Sequence, residues 1–343
     1  MPKKRITSLD VAKAAGVSRT TVSFVMNNVT RANISESTRS RVLEVAKTLN
    51  YHPNASGKKL ASGKSLTIGL ILQQSPTHVY ADAFLLQVMV SIEQAVAPFG
   101  FHVLLKPINP DEPLAFHQLI TENHVDGIIL SGPRQDDTEV IQHFDEGFPI
   151  ILMGQIEGSH IPFVDINAVE GAFTATQHLI DLGHTAIGII TNASLGYTSA
   201  QQRWQGYKNA LERNGITPNP LFLQEGDYTP ASGYEAMQRM LKNVPELTAV
   251  FVASDVVAVG AIQAIHQAGK RIPEDIAIIG FDDIPIAAHL TPPLSTIRLP
   301  ALALGKIAGE SIVHLILGET LDLQETLLDT SLVIRESTKG KSA

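Results

Sequence analysis

The stretch that decides the fold is residues 6–28, ITSLDVAKAAGVSRTTVSFVMNN. Thr7 followed by Asp10 is the pattern of a capping box, which predicts the start of a first helix. Gly16 predicts the end of that helix, and Ser18 is the kind of residue that begins a second one. The positions predicted to face inward are apolar: Leu9, Val11, Ala12, Ala15, Val17, Val22 and Val25.

The second predicted helix has polar residues at its N-terminal end. Arg19, Thr20 and Thr21 occupy its first turn, away from the inward-facing valines. Two short helices joined by a tight turn are typical of a helix-turn-helix, whose second helix presents its first turns to the major groove of DNA. The same pattern also occurs in proteins that never touch DNA, so the rest of the chain must decide.

Basic residues are concentrated around this stretch. Residues 1–65 hold 12 Lys and Arg against 3 Asp and Glu, about +9, whereas residues 66–343 hold 14 basic and 31 acidic residues, about −17. A polyanion would attract the first part and repel the second. The alternative is a solvated basic terminus that binds nothing.

A third helix is predicted to begin at Ser35 and to close the N-terminal unit near Tyr51. Its apolar residues have helical spacing: Val42, Val45, Ala46 and Leu49. We expect residues 1–53 to form the helix-turn-helix domain.

The next segment, residues 54–65, contains Lys58, Lys59 and Leu60. It is too short to be a stable helix alone, and Gly57 weakens it further. One interpretation is a linker. The other is a hinge helix that orders only on DNA, with Leu60 as a wedge in the minor groove and the two lysines on phosphates.

The composition is that of a folded chain with two or three domains. It has 343 residues, of which 44% are hydrophobic and 17% charged. No apolar run approaches the ~20 residues of a membrane span, and no apolar segment of a secretory signal follows the basic start MPKKRIT. The absence of cysteine excludes disulfides, thiolate metal sites and cysteine nucleophiles, and it fits a cytoplasmic protein.

From residue 66 onward, short apolar runs alternate with helical patterns. Strands are predicted at 66–72, 102–105, 127–130, 150–153, 186–190, 249–253, 276–280 and 327–334. Helices are predicted near 83–97, 113–122, 138–145, 168–182, 199–214, 231–242, 256–268 and 301–317. This order predicts a doubly wound α/β core of two lobes with parallel sheets, and such folds bind ligands at the carboxyl ends of their strands.

Motifs of catalysis and cofactor binding are missing from the sequence. The twelve histidines have no metal-binding spacing, and there is no P-loop, G-x-S-x-G or dinucleotide-binding glycine pattern. We therefore expect neither an enzyme nor a cofactor.

The whole chain resembles the LacI/GalR family of bacterial transcription regulators. The resemblance lies in DVAKAAGVSRTTVSFVMN and SESTRSRVLEVAKTLNYHPN of the first unit, and in VDINAVEGA, HLIDLGHTAIGII, RWQGYKNAL, FVASDVVAVGAIQAI and IPEDIAIIGFDDIPIAAHLTPPLSTIR of the second. It implies a helix-turn-helix head and a periplasmic-binding-protein-like core, residues 66–343, which binds an effector and forms a homodimer. The N-lobe would comprise about 66–163 plus 292–320, and the C-lobe about 164–291 plus 321–343.

The resemblance also implies roles for residues of the head. Arg19 and Thr20 would read base edges, because the arginine fork matches the paired acceptors of guanine. Phe24 would read a thymine methyl or a sugar, or simply pack. The residues expected on the DNA backbone are Ser18, Thr21, Ser23 and Asn27, with Arg31 as a further candidate.

The effector site implied by the resemblance lies between the lobes, and its residues are Phe84, Arg203, Tyr228, Ser254 and Asp282. Arg203 would fork onto ligand hydroxyls or carboxylates, Asp282 would accept from sugar hydroxyls, and Tyr228 would stack on a ligand ring. The alternatives are a surface arginine, a metal or acid–base dyad of Asp282 and Asp283, and a tyrosine on a loop surface. Whether Tyr80 or Asp82 of the long 73–84 loop contributes stays open.

Two neighbouring acidic residues have predicted structural roles. Asp255 is expected to cap the helix near 256–268, and Asp283 to cap the segment that follows it.

Together these observations predict a DNA-binding transcriptional repressor that a small sugar releases from a palindromic operator. The expected partners are double-stranded DNA, a small-molecule effector and a second copy of the chain, without a membrane. The alternatives are a sugar-binding protein without a DNA role and a corepressor-dependent regulator that binds a nucleobase. The dimer interface is expected to include the helices near 83–97 and 256–268.

Overall fold

The computed structural model describes residues 6–26, 33–51, 64–74, 79, 82–109, 115–122, 124–320 and 325–339. The chain divides into two compact units, residues 1–65 and residues 66–343. Several residues with predicted roles lie outside the described parts: Asn27, Arg31, Lys58, Lys59, Leu60 and Tyr80.

The first unit contains three helices, α1 (Ser8–Ala15), α2 (Arg19–Met26) and α3 (Glu36–Thr48). The backbone N–H of Thr7 and its hydroxyl both donate to the Asp10 carboxylate, at 2.8 and 2.7 Å. Gly16 ends α1 with φ +64°, the left-handed conformation that favours glycine. These caps explain why such short helices begin and end where they do.

The core of this unit is small. Its buried residues are Val11, Ala12, Ala15, Val22, Val25, Val42 and Ala46. Val17 is half-buried against them. The prediction for Leu9 was wrong, because its side chain is 44% exposed and lies outside this core. A helix of two turns buries one face, which here consists of the three residues Val11, Ala12 and Ala15.

The second unit begins with a six-stranded parallel sheet in the order β11-β5-β4-β3-β1-β2. Its strands are β1 (Thr67–Leu72), β2 (His102–Pro107), β3 (Gly127–Ser131), β4 (Ile150–Met153), β5 (Phe163–Ile166) and β11 (Glu325–Leu328). The helices associated with it are α4 (Ala83–Val96), α5 (Ala115–Thr121), α6 (Thr138–Asp145) and α11 (Ala301–Leu317). We call this part the N-lobe.

A second sheet is four-stranded and parallel, in the order β7-β6-β8-β9. Its strands are β6 (Ile187–Ile190), β7 (Leu223–Gln224), β8 (Ala249–Val252) and β9 (Ala277–Ile279). Beside it, β10 (Thr296–Arg298) pairs antiparallel with β12 (Ser331–Val333). The helices are α7 (Ala168–Asp181), α8 (Thr198–Arg213), α9 (Pro230–Asn243) and α10 (Asp255–Gln267), and this part is the C-lobe.

The lobes differ from the expected division in their C-terminal segments. The single strand predicted at 327–334 is two strands, β11 in the N-lobe sheet and β12 in the C-lobe. The segment 296–298, expected in the N-lobe, pairs with β12, and Ile279 bridges Ser295. Between β11 and β12 the chain passes from the N-lobe to the C-lobe within a few residues. The apolar pattern of residues 327–334 continues across this passage, so the sequence does not show where one strand ends and the next begins.

Three strands were missed in the sequence. The strands β5, β7 and β10 have two to four residues each and lack the continuous apolar run that marks β1 or β3. Their position depends on the neighbouring strand, which supplies the hydrogen bonds. The helical head and the two-lobed α/β core with parallel sheets nevertheless confirm the predicted fold class.

Candidate nucleic-acid interface and ligand cavity

The outer face of α2 is the candidate DNA-reading surface of the first unit. Successive residues of a helix are about 100° apart, which places Arg19, Thr20, Ser23 and Phe24 on one side. Val22 and Val25 lie on the opposite side, in the core. The side chains of Arg19 and Thr20 are exposed and Ser23 is half-buried.

Two of the residues predicted to contact phosphates also hold the start of this helix. The backbone N–H of Thr21 donates to the hydroxyl of Ser18 at 3.0 Å, and the two hydroxyls lie 2.9 Å apart. Ser18 thus caps α2 as predicted. Helix N-termini and their backbone N–H groups are common phosphate ligands.

Phe24 is 38% exposed. The side chain is therefore only partly covered by the head. It lies on the same face as Arg19, and both predicted roles remain: contact with a thymine methyl or a sugar, or packing.

In the second unit, the carboxyl ends of both sheets face one cavity of about 110 Å³. All five predicted effector residues line it, although they come from distant parts of the sequence: Phe84, Arg203, Tyr228, Ser254 and Asp282. The N-lobe contributes Ser131, Gly132 and Gly154 among others. A cavity of this size holds several waters or a small polar molecule.

Arg203 lies on α8 and is 9% exposed. Its guanidinium stacks over the ring of Phe281, 4.2 Å from the centroid, and Nη1 donates to the carbonyl oxygen of Ala253. Nη2 lies 3.9 Å from Oδ1 of Asp282. Nε has no hydrogen-bond partner within the protein. The guanidinium is therefore held by protein groups along one side and has one buried donor to spare.

Asp282 and Asp283 follow β9 in an unusual backbone conformation, with φ +122° and +55°. Asp282 lines the cavity, whereas Asp283 turns away and receives Arg298 Nε at 2.7 Å and Arg335 Nη2 at 2.6 Å. The two carboxylates therefore form no dyad. The capping role predicted for Asp283 was wrong, because two arginines hold its carboxylate as an ion pair.

Asp255 has a different role from the predicted cap. It is the first residue of α10 and is fully buried. Its carboxylate accepts the hydroxyl of Thr296 at 2.7 Å and the backbone N–H of Ile284 at 3.0 Å. These bonds tie the start of α10 to the Asp282 loop. Burial raises the pKa of this carboxyl to about 6.

The apolar part of the site comes from both lobes. Phe84 is half-buried and packs against the cores of the N-lobe and the C-lobe. Tyr228, at φ +51°, meets Tyr197 edge to face with 5.8 Å between ring centroids. Burial raises the pKa of the Tyr228 hydroxyl, so it stays a neutral hydrogen-bonding group. Ser254 is the residue before α10 and is buried.

Asp82, which the sequence left open, lines the cavity, and other polar residues there, among them Asp165, Gln74 and Asn192, were not predicted. Asp82 caps α4 by accepting the Leu85 N–H at 3.0 Å, and Asp165, the third residue of β5, accepts a hydrogen bond from Gln155 Nε2 at 2.9 Å. Gln74 and Asn192 lie at the ends of β1 and β6. For Gln74 and Asn192, a polar residue two positions after a buried strand is the signal that points to this edge of a parallel sheet.

Burial also raises the pKa of Asp82, Asp165 and Asp282, because each carboxylate loses water on entering the cavity wall. The charge of Arg203 opposes this rise in all three cases. One guanidinium therefore faces three carboxyl groups.

No group of three histidine or acidic side chains in the part of the chain that the structure describes is placed to hold a metal ion. None of the helices described is long and apolar enough to cross a membrane.

A helix-turn-helix head in one chain with a two-lobed core and a polar cavity defines a ligand-responsive DNA-binding regulator. Comparison with known protein families supports this class. Residues 7–54 match the family "Bacterial regulatory proteins, lacI family", and residues 176–338 match the family "Periplasmic binding protein-like domain". The HTH-type transcriptional repressor PurR of Haemophilus influenzae (strain PittEE) is 35% identical over 338 residues, which cover 96% of this chain and 98% of that protein.

Solved structures give the same result over the full chain. The Lac repressor dimer bound to operator and the anti-inducer ONPF has a TM-score of 0.83 at 29% identity, covering 98% of this chain and 100% of that chain. The CelR–cellobiose complex has a TM-score of 0.75 at 32% identity, covering 97% and 100%. The chain belongs to the LacI family, and it is a DNA-binding transcriptional repressor.

Proposed function

We propose that this repressor binds a palindromic operator as a homodimer and that a small sugar in the core cavity releases it. The observation that carries the proposal is the convergence of Phe84, Arg203, Tyr228, Ser254 and Asp282 on one buried cavity. Residues from five separate segments meet there at the carboxyl ends of two sheets, where α/β folds bind ligands.

On the DNA side, Arg19 and Thr20 would read base edges, with Ser18, Thr21 and Ser23 on phosphates. The exposed outer face of α2 supports these roles. The predicted contacts of Asn27, Lys58, Lys59 and Leu60 stay predictions, because those residues lie outside the described parts of the chain.

Hydrogen bonds between the two lobes offer a way for ligand binding to change how the lobes are arranged. The Tyr197 hydroxyl, from the C-lobe, donates to the Gln73 carbonyl of the N-lobe at 2.7 Å. Thr198 donates to the Pro133 carbonyl, at 3.3 Å from its N–H and at 3.1 Å from its hydroxyl. Both residues begin α8, which carries Arg203. A ligand that touches both lobes would favour one closure angle and shift the population of DNA-binding molecules.

The dimer interface would include α4. Leu86 and Val90 lie one turn apart on this helix and are 50% and 49% exposed. Paired apolar residues on the surface of one helix are typical of a protein contact. The Lac repressor structure is a dimer on its operator, and the proposal extends that assembly to this chain.

A nucleobase corepressor is the second candidate effector. The aromatic side chains of Phe84 and Tyr228 favour it, because both line the cavity and would stack on a flat ring. We further propose that the protein acts in the cytoplasm and catalyses no reaction.

Fluorescence anisotropy on DNA from its own promoter, with neutral sugars and nucleobases added, tests these proposals. Release by one sugar, lost in Arg203→Ala, would support the inducer role. Tighter binding with a nucleobase would support the corepressor instead. Specific DNA binding that no compound changes would contradict the effector proposal, and equal affinity for unrelated DNA would contradict the operator proposal.

A further inference from the structure

The balance of charge in the cavity limits which ligands it can hold. Three carboxyl groups line it, those of Asp82, Asp165 and Asp282, and Arg203 is the one basic residue among the lining side chains that the structure describes. Asp255 lies directly behind Asp282 and adds a further buried carboxyl. With all the lining groups ionised, the wall carries two negative charges more than positive ones.

Arg203 is poorly placed to offset a ligand anion. Nη1 is used by the Ala253 carbonyl, and Nη2 faces Asp282. A carboxylate or phosphate prefers the arginine fork, with two parallel N–H groups. Nε is a buried donor without a partner, and Nη2 lies within ion-pair distance of Asp282, so a ligand anion would have to compete with that carboxylate for the guanidinium.

The hydrogen-bonding atoms without partners are mostly acceptors. Oε1 of Gln74 and Oδ1 of Asn192 are buried and have no hydrogen-bond partner within the protein. Both side chains line the cavity and are more than nine-tenths buried. A buried acceptor left without a donor costs free energy, so these atoms need a donor from a ligand or from water.

The N-terminus of α10 reaches the same wall and would attract an anion by itself. Here that position is already taken by carboxyl groups. Asp255 belongs to the first turn of α10, and Asp282 lies beside Ser254 at its start. The positive end of the helix is therefore balanced within the protein.

We propose that the effector carries no negative charge and is rich in hydrogen-bond donors, and that the cavity rejects acidic and phosphorylated forms of the same molecule. This inference rests on the proposed effector site and adds the ligand class to it. Hydroxyls would donate to Gln74, Asn192 and the Asp282 carboxylate, and one ligand oxygen would accept from Arg203 Nε. An ammonium group in place of a hydroxyl would fit near the carboxylates.

The test is calorimetric titration of the full-length protein with matched compounds. One set is glucose, glucosamine, glucuronate and glucose 6-phosphate, and others are ribose with ribose 5-phosphate and cellobiose with cellobionate. For any neutral or amine compound that binds, we expect the acidic or phosphorylated partner to bind at least about 100-fold more weakly, since it buries an unpaired charge.

Inorganic phosphate is a second probe that needs no knowledge of the effector. We expect phosphate not to raise the melting temperature of the protein through this cavity. Stabilisation by phosphate that disappears in Arg203→Ala, or tighter binding of an acid than of its neutral parent, would overturn the charge rule and leave the effector site standing. Failure of every compound, together with no effect of sugars or nucleobases on DNA binding in the anisotropy experiment, would instead contradict the effector site, and the charge rule with it.

Substitutions test whether the carboxyl groups of the cavity wall cause the selectivity for ligand charge. Asp82→Asn keeps the shape of the wall and removes one charge, so the ratio of amine to neutral affinity should fall by about tenfold. The control is Asp145→Asn, which removes an exposed carboxylate paired with His160 outside the cavity. Equal ratios in Asp82→Asn and the control would contradict the assignment to this wall.

Discussion

At the scale of single residues, polar side chains are exposed on the DNA-reading face of the head and buried in the cavity of the core. Arg19 and Thr20 are exposed and contribute little to the stability of the head. Asp255, Asp282 and Arg203 are buried, and each has a partner that holds it in place. Substitutions should therefore affect recognition in the head and both binding and stability in the core.

The first prediction concerns Arg19. Arg19→Ala should weaken operator binding by about 10- to 100-fold, because one good base contact contributes ~1–3 kcal/mol of discrimination. The melting temperature should not change. Anisotropy measures the affinity, with Lys13→Ala as the control, since Lys13 is equally exposed but lies on α1. An equal loss in both variants would indicate general electrostatics and contradict base reading.

The second prediction concerns Asp255. Its pKa is raised to about 6 from the usual 3.8, so between these values the folded state holds a proton that the unfolded state has lost. Its contribution to the free energy of unfolding must therefore fall as pH rises from about 4 to about 6, and stay level above. Asp255→Asn removes this dependence on pH. The new amide can donate a hydrogen bond to the Thr296 hydroxyl, which in the wild type is the donor.

Urea unfolding at pH 4, 5, 6 and 7 measures the effect as the difference between the wild type and Asp255→Asn. Burial lowers the pKa of His178 and His184, which contribute in the opposite sense but equally in both proteins. Asp145→Asn is the control with an exposed carboxylate. The difference also includes Asp282, whose pKa is raised in part by the Asp255 charge, so a constant difference over this range would show that neither carboxyl titrates there.

At the scale of elements, glycines let pairs of helices approach closely. A Cβ built on Gly260 of α10 would collide with the Pro230 carbonyl oxygen at the start of α9. A Cβ on Gly206 of α8 would collide with the Val169 carbonyl oxygen of α7. Since backbone atoms cannot move away as a flexible side chain does, these positions require glycine.

The third prediction follows from this contact. Gly260→Ala should reduce the free energy of unfolding of the core by ~1–3 kcal/mol, because α9 must move away from α10. Gln263→Ala, on the exposed face of α10, should change it by less than about 0.5 kcal/mol. Denaturant unfolding compares the two. If Gly260→Ala left the free energy of unfolding unchanged, α9 and α10 would be packed more loosely than the structure shows.

Elements with a strong local pattern could be predicted from the sequence. The capped helices α1 to α3 and the apolar strands β1, β3, β4, β6 and β8 have such patterns, and so do the helices between them. The short strands β5, β7 and β10 could not, because their neighbours define them. In the site, Arg203 and Asp282 were implied by the family resemblance, whereas the roles of Gln74 and Asn192 depend on which strand ends meet.

At the scale of the whole molecule, the proposed mechanism needs two copies of the chain. One recognition helix contacts one half-site, so a dimer is required for two. The described parts of α4 and α11 offer the apolar side chains Leu86, Val90 and Leu302, which are half-exposed or more. Assembly and DNA affinity should therefore change together.

The fourth prediction tests that link. Leu86→Glu with Val90→Glu should abolish the dimer in sedimentation experiments and weaken operator binding by ~100-fold or more, because the second half-site is no longer engaged by a linked head. Leu221→Glu, at a leucine of the C-lobe that is 59% exposed, is the control. A stable dimer in the double variant would place the interface elsewhere.

The order in which the two lobes share the chain has a consequence for synthesis on the ribosome. The outermost strand of the N-lobe sheet is β11 and the partner of β10 is β12, so both lobes are completed by residues 325–333. Domains generally fold as they emerge, N-terminal ones first. The head can therefore fold while the core is still unfinished, and the nascent chain acquires its DNA-reading helix well before it can acquire a closed ligand cavity.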